Sequence, residues 1–219
     1  MNLNGNEQNI AEQFVDLVDV LSETINEDGL RAIADTCLHI SGLDHCAVFL
    51  MITENSIEES TNVSKTGFAA RVNSSEPSPL ALLSMNDLSP QISISGNAEV
   101  LHTEYAFPLR VRGQALGVIS LESASSTPLP SHTIAILQSV ADLSASSIYQ
   151  SNQIQQTRTL VAQLQGALTS RVLVEQAKGV LAERLKIDFC SAFQEIRNTA
   201  RREQRKIHLV ASDIVSTIN

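Results

Sequence analysis

Arginine residues near the C-terminal end of the sequence recur at a spacing that places them on one helix face. Arg197, Arg201 and Arg205 are four residues apart, and Arg202 and Lys206 lie beside them. Side chains four apart are neighbours on an α-helix, so these residues are predicted to form one basic stripe. A guanidinium group can hold phosphate or a guanine edge through two hydrogen bonds and can stack on splayed bases. The stripe is therefore either a solvated face or a surface for a polyanion.

A second pair of cations precedes this stripe. Arg171 and Lys178 are seven residues apart and lie on nearly the same side of a helix, with Glu175 between them. Exposed ion pairs with Glu175 would contribute only about 0–1 kcal/mol each, too little to keep the cations from a phosphate. Gly179 costs about 1 kcal/mol relative to Ala inside a helix. It therefore indicates close approach of another backbone, either a packed helix or a nucleic acid.

The charge is divided unequally along the chain. Residues 1–150 hold five Lys and Arg against eighteen Asp and Glu, whereas residues 151–219 hold ten against six, which together give the net charge of −9. A polyanion would therefore meet the C-terminal end. Charge alone is equally consistent with a solvated basic helix.

Other reactive residues lack the spacing that catalysis or metal binding needs. The five His residues form no ligand cluster in sequence, and Cys37, Cys46 and Cys190 share no CxxC spacing. No nucleophile-elbow or phosphate-loop pattern occurs. We therefore expect no enzymatic activity, no metal ion and no cofactor.

The composition favours a packed domain in the cytoplasm. Hydrophobic residues make up 43% of the chain and charged residues 18%, which is typical of a globular fold. No apolar run approaches the ~18–20 residues that span a bilayer. The polar first residues have no Lys, Arg or apolar segment typical of a signal peptide. We expect a cytoplasmic protein with no membrane partner.

Hydrophobic periodicity divides the first part of the chain into helices followed by strands. Amphipathic helices are predicted at residues 10–21 and 30–38. A continuous apolar run predicts a buried strand at residues 46–52, and a weaker strand is predicted at residues 62–65. These elements predict an α+β fold.

The next stretch leads to a hairpin. Residues 73–96 are rich in Ser, Pro and Asn and are predicted to be mostly loop with one short helix or strand. Two β-rich runs, residues 104–111 and 114–121, flank Arg112-Gly113 and predict an antiparallel hairpin. The first half is therefore expected to contain an antiparallel sheet flanked by helices.

A long helix is predicted to begin near Ser131, because no Pro follows residue 130. A heptad register fits it, with these residues at the two core positions: Val140, Ser147, Ile154, Val161 and Leu168; Leu143, Gln150, Thr157 and Leu164. Four of the nine are polar, so the seam is weak. The helix either pairs with a second copy or packs back on its own domain.

From Leu168 onwards, three short helices are predicted. The first ends near Leu185, where residues 186–188 break it. The second is expected to bury Phe189, Phe193, Ile196 and Ala200, and the third Ile207, Val210, Ala211, Ile214 and Ile218.

The C-terminal segment resembles the ANTAR domain. The resemblance rests on residues 170–181 (SRVLVEQAKGVL) and then, in order, on Ala192-Phe193, Arg197, Ala200-Arg201, Ile207 and Val210-Ala211. It departs from the family pattern at Ala182, where Met is usual, and at His208, where Asp or Ser is frequent. Neither departure removes a basic residue.

This resemblance implies binding to paired stem-loops in nascent transcripts, which prevents a terminator hairpin from forming. The residues predicted to contact RNA are Arg171, Gln176, Ala177, Lys178, Gly179, Arg197, Arg201, Arg202 and Arg205. A DNA-binding role for the module stays open on charge alone.

Residues 107–121 (FPLRVRGQALGVISL) resemble the GAF domain. The predicted division is a GAF-like regulatory domain at residues 1–147, a helical connector at 148–166 and an ANTAR module at 167–219. The connection before the hairpin is short and lacks the Gly-Pro-Cys element of many bacterial GAF domains, which helps wall the ligand pocket. A small-molecule ligand is therefore not expected.

Taken together, these features predict an antitermination regulator. Binding two stem-loops requires two ANTAR modules, and one chain carries one. We therefore expect a homodimer formed through the connector helix and the GAF domain. One alternative is a GAF sensor that acts through a protein partner or through DNA. Another is a GAF-fold reductase, which would require Cys37 or Cys46 to be accessible to solvent.

Overall fold

The computed structural model describes residues 27–53, 56–64, 76–96, 101–124 and 128–217. The chain divides into two compact units, Met1–Gln153 (unit 1) and Ile154–Asn219 (unit 2). The helix predicted at residues 10–21 lies outside the described residues.

Unit 1 is built on a five-stranded sheet in which every neighbouring pair is antiparallel. The order across the sheet is β2-β1-β5-β4-β3. The strands are β1 (His45–Thr53), β2 (Ser56–Ser64), β3 (Gln91–Gly96), β4 (Leu101–Val111) and β5 (Gln114–Ser123). The predicted strand at residues 46–52 and the predicted hairpin are confirmed.

Helices cover both faces of this sheet. Helix α1 (Glu27–Ser41) and the first part of α3 (Ser131–Leu185) share the larger apolar cluster with one face. Helix α2 (Pro79–Asp87) packs on the other face through Ala81 and Met85. Alternate residues of each strand point to opposite faces, which is why two apolar clusters form. The predicted α+β class, with an antiparallel sheet flanked by helices, is confirmed.

The hairpin between β4 and β5 closes through a two-residue turn. Arg112 and Gly113 both have positive φ, +52° and +79°, as a type I′ turn requires. Further along β5, a Cβ at Gly117 would lie 2.1 Å from the carbonyl oxygen of Phe49 in β1. Glycine therefore allows these two strands to pair at this point.

Residues 73–96 hold more regular structure than the sequence predicted. Both a helix and a strand are present there, α2 and β3. Ser78 caps the helix by accepting a hydrogen bond from the backbone N–H of Ala81 at 3.1 Å, and Pro79 follows the cap at the first helical position. Pro is well suited to that position because it has no N–H to satisfy. Strand β3 is paired with β4.

Helix α3 is one continuous element of 55 residues. It begins at Ser131, as predicted, and includes the segment that the sequence assigned to a separate short helix. It ends at Leu185 because Lys186 adopts a left-handed conformation (φ 55°), and the N–H of Ile187 donates to the carbonyl of Ala182 at 3.2 Å. This pattern closes the last helical turn.

Unit 2 contains the last part of α3 together with α4 (Phe189–Arg202) and α5 (Ile207–Ser216). Its core is formed by Ala177, Ile196, Ala200, Val210 and Ala211. The second and third predicted helices are confirmed; Ile218, predicted to be buried by the third, lies outside the described residues. Phe189 was predicted to lie in this core and does not, since 60% of its surface is exposed.

No helix among the described residues is both long and apolar enough to cross a membrane.

Candidate nucleic-acid interface

Helix α4 carries two free guanidinium groups on its outer side. Arg197 and Arg201 are exposed, while Ala192, Ile196 and Ala200 bury the opposite side. Neither arginine has an ion-pair or hydrogen-bond partner among the described residues. Both side chains are therefore open to an external anion.

Arg205 does not continue this stripe, which corrects the sequence-based expectation. Helix α4 ends at Arg202, and Gln204 is left-handed (φ 52°). The N–H of Arg205 donates to the carbonyl of Ala200 at 2.9 Å and that of Gln204 to Arg201 at 3.2 Å. These two bonds form a Schellman motif, which turns the chain away from the helix axis.

The Arg205 guanidinium is held within unit 2. It donates to Asp213 Oδ2 at 2.7 Å and to Glu203 Oε2 at 3.1 Å. The hydrogen bond to Asp213, followed by that to Glu203, raises the pKa of Arg205. Arg202 lies 3.9 Å from Glu203, a longer contact, and stays exposed. Arg205 thus stabilises the α4–α5 connection, whereas Arg202 is open to contact.

The predicted cations of α3 differ from each other. Arg171 is exposed and has no partner among the described residues. Lys178 pairs with Glu175, with 2.8 Å between Nζ and Oε2, and only 19% of its side chain is exposed. Of the two ion pairs considered for Glu175, the one with Lys178 is therefore present, and the one with Arg171 is not found among the described residues. Lys178 is less accessible than its sequence pattern indicated.

Three other predicted residues of α3 lie in different environments. Ala177 is fully buried in the core of unit 2, where it packs between helices, so it is not part of the exposed candidate interface. Gln176 is exposed, but two helical positions correspond to a rotation of about 200°, so it points away from Lys178. Among the described residues nothing lies within 4 Å of a Cβ placed on Gly179. Within the described residues, a packed helix therefore does not explain Gly179.

Phe189 is a surface residue that sequence reasoning assigned to the core. It is the first residue of α4, one turn before the buried Ala192. The Lys178 ammonium lies 5.9 Å from the centroid of its ring. In the sequence, Asp188 was the available signal for the start of α4. It caps α4 by accepting from the N–H groups of Cys190 and Ser191, so Phe189 occupies the exposed first turn.

Unit 1 holds its reactive sulfur atoms in the interior. Cys37 and Cys46 are both buried, and burial followed by the hydrogen bond with Cys37 raises the pKa of the Cys46 thiol. No group of three His, Cys, Asp or Glu side chains in the described part of the chain could hold a metal ion.

The described residues thus form an α+β domain, a long helix and a small helical module with exposed cations. Residues 26–148 match the family model of the GAF domain, and residues 162–215 match that of the ANTAR domain. The chain therefore belongs to the GAF family and carries a C-terminal ANTAR domain, as its motifs predicted. GAF is a sensor domain, and ANTAR implies RNA-binding regulation of antitermination.

Solved structures agree with the fold of unit 1. The GAF domain from an Acinetobacter phosphoenolpyruvate-protein phosphotransferase superposes with a TM-score of 0.52 at 11% identity, covering 67% of this chain and 97% of that one. The GAF domain of a two-component sensor histidine kinase from Bacillus halodurans gives 0.50 at 12% identity, covering 61% and 99%. No curated protein matches the sequence.

Proposed function

We propose that this chain is a cytoplasmic antitermination regulator whose ANTAR module binds paired stem-loops in nascent transcripts. The GAF domain would act as the regulatory part, and Arg171, Lys178, Arg197, Arg201 and Arg202 would contact the RNA. Gln176 and Gly179, which were also predicted from the sequence to contact RNA, are kept in the proposed interface. Both lie on the same helix as Arg171.

The observation that carries this proposal is the set of free guanidinium groups in unit 2. Arg171, Arg197 and Arg201 are exposed and without partners among the described residues, although Glu183, Glu195 and Asp213 belong to the same unit. An arginine without an internal carboxylate has its full fork of donors available for phosphate or guanine. The match to the ANTAR family supports RNA, and not duplex DNA, as the nucleic acid that supplies this phosphate or guanine.

We further propose that two copies of the chain pair through the middle of α3. Residues 152–169 are all exposed, yet Arg158 is their only charged residue. Ile154, Val161, Leu164 and Leu168 follow the heptad register along this segment. A long helix surface with a single charged residue and a regular apolar seam favours burial against an identical helix, and the pairing would place two ANTAR modules on one RNA.

The burial of Cys37 and Cys46 weighs against the reductase alternative. That alternative requires one of these thiols to be accessible, and both are buried. A thiol with a raised pKa also holds less of the nucleophilic thiolate. GAF and ANTAR are regulatory domains, in line with a binding role.

Selection and competition test the proposal. A library of RNA hairpins with randomised loops is enriched on the full chain, and the selected hairpin is then competed against itself, a scrambled single strand and duplex DNA of equal length. We expect competition by the hairpin alone, and a steep loss of affinity with salt because several phosphates are neutralised. Equal competition by duplex DNA, or no enrichment of any hairpin, would overturn it.

A further inference from the structure

Phe189 and Lys178 form a composite surface from two helices. Phe189 opens α4 and Lys178 lies on α3, eleven positions earlier in the sequence. The fold brings the Lys178 ammonium to 5.9 Å from the ring centroid, within cation–π range. Phe189 nevertheless stays 60% exposed.

The neighbouring groups are arranged for an anion next to an aromatic ring. Glu175 holds the Lys178 ammonium from one side, through 2.8 Å and 3.1 Å contacts to its two carboxylate oxygens. Glu175 itself is largely exposed, so a phosphate can compete for the ammonium at small cost. Asp188 next to the ring is occupied by the hydrogen bonds that cap α4.

An unstacked nucleotide offers the complementary pair of groups. Its base has a π-face that stacks on aromatic side chains, and its phosphate is an anion at a fixed distance from that base. We infer that one unpaired loop base stacks on Phe189 while its phosphate contacts Lys178. This inference rests on the proposed RNA binding and adds an aromatic contact to a surface otherwise made of cations.

An apolar protein partner is the competing occupant of this surface. Leu185, the last residue of α3, is 53% exposed and precedes Phe189 by four residues. Together the two side chains could form an apolar patch. Apolar burial would take the Lys178 ammonium out of water without a new anionic partner, which is unfavourable. A nucleotide supplies that anion, so the observations favour RNA.

Substitutions at Phe189 test the stacking contact in the full chain with the selected hairpin. Phe189→Leu keeps an apolar side chain but removes the ring, and we expect affinity to fall about tenfold, within the range for one base on an aromatic platform. Phe189→Tyr should bind as the wild type does. Leu185→Ala is the matched control at an exposed apolar residue and should leave affinity unchanged.

Abasic substitution of the hairpin loop identifies the base. One loop position should lose affinity with the wild-type chain when its base is removed, and that loss should disappear in the Phe189→Leu variant, because the partner is already absent. Additive losses at every loop position would overturn the inference.

A fluorescent reporter separates the two occupants. The chain contains no Trp, so Phe189→Trp introduces a single indole at this surface. Stacking should quench its emission when the hairpin is added. If the hairpin binds with unchanged emission, and Phe189→Leu retains full affinity, the stacking contact is refuted while RNA binding stands. If no hairpin binds, the proposed function itself fails. If Phe189→Leu instead alters sedimentation of the RNA-free protein, the surface is a protein contact and the inference is overturned.

Discussion

Two arginines show how differently the two units use the same side chain. In unit 1, Arg110 donates to both carboxylate oxygens of Asp142, at 2.8 Å and 2.9 Å, and to the carbonyl of Leu88 at 2.8 Å. In unit 2, Arg201 is exposed and has no partner among the described residues. Arg110 connects β4, α3 and the end of α2, whereas Arg201 connects nothing within its own unit.

Apolar residues of α3 show the same contrast. Val140 is fully buried against the sheet of unit 1, but Val161, three heptads later, is 45% exposed in unit 2. One helix thus contributes a completed core in one unit and an open seam in the other. The first part of α3 therefore belongs to the packed core of unit 1, while its later part leaves apolar side chains exposed in unit 2.

The largest effect is expected from the open seam. Replacing Ile154 and Val161 with Glu should give a monomer, because four charges would face one another in the paired helices. Its affinity for a single hairpin should be nearly unchanged, while its affinity for two adjacent hairpins should fall by about 10²–10⁴, the gain expected from joining two sites. Light scattering and titration with one-loop and two-loop RNA measure both quantities.

The matched control adds the same charge to the outer side of the helix. Gln156 and Gln163 lie outside the heptad core positions. The double variant Gln156→Glu, Gln163→Glu should therefore preserve both the dimer and the preference for two-loop RNA. A wild-type protein that is monomeric alone and on two-loop RNA would contradict the pairing, as would a monomeric variant with an intact two-loop preference.

A change inside the sheet of unit 1 should act on stability. Gly117→Ala places a Cβ against the carbonyl oxygen of Phe49 at 2.1 Å, so β5 and β1 must separate. We expect the free energy of unfolding of unit 1 to fall by about 3 kcal/mol or more. Gly166→Ala, in α3 with open space around it, should instead stabilise by up to about 1 kcal/mol. Thermal unfolding compares the two, and equal effects would refute the predicted clash.

A smaller effect is expected at Arg110. Arg110→Ala removes two hydrogen bonds to Asp142 and one to the Leu88 carbonyl. It should lower the free energy of unfolding by about 1–2 kcal/mol, since solvent screens this partly exposed pair. RNA affinity should not change. Arg31→Ala removes an exposed cation from α1 and should stay within about 0.5 kcal/mol of the wild type. Denaturant unfolding measures the stability of both variants, and titration with the hairpin measures their RNA affinity. Weaker RNA binding by Arg110→Ala would contradict a purely structural role for Arg110.

Local signals in the sequence were enough for most of unit 1. The apolar run before residue 52 and the Arg112-Gly113 turn specify β1 and the hairpin directly. Strand β3 was missed because its pairing with β4 is a tertiary interaction. Ser78-Pro79 was an available start signal for α2.

The candidate site was harder to predict because it depends on where helices end. Gln204 adopts a left-handed conformation without being Gly or Asn, so the end of α4 lacks the usual sequence signal. The early end of α4 removed Arg205 from the stripe. Phe189 is exposed because it is the first residue of α4, directly after the cap at Asp188. The burial of Ala177 follows from its spacing with Leu173, Val174 and Leu181, which helical periodicity alone could have indicated.

The central claim is that free guanidinium groups of unit 2, and not its overall positive charge, bind the RNA. Arg201→Gln and Lys186→Gln each remove one positive charge from unit 2, but Lys186 is an exposed side chain already paired with Glu183. Titration of the selected hairpin at fixed salt compares the two variants with the wild type. We expect Arg201→Gln to lose about 1–3 kcal/mol of binding free energy and Lys186→Gln less than about 0.5 kcal/mol. Equal losses, or full affinity of Arg201→Gln, would contradict the account.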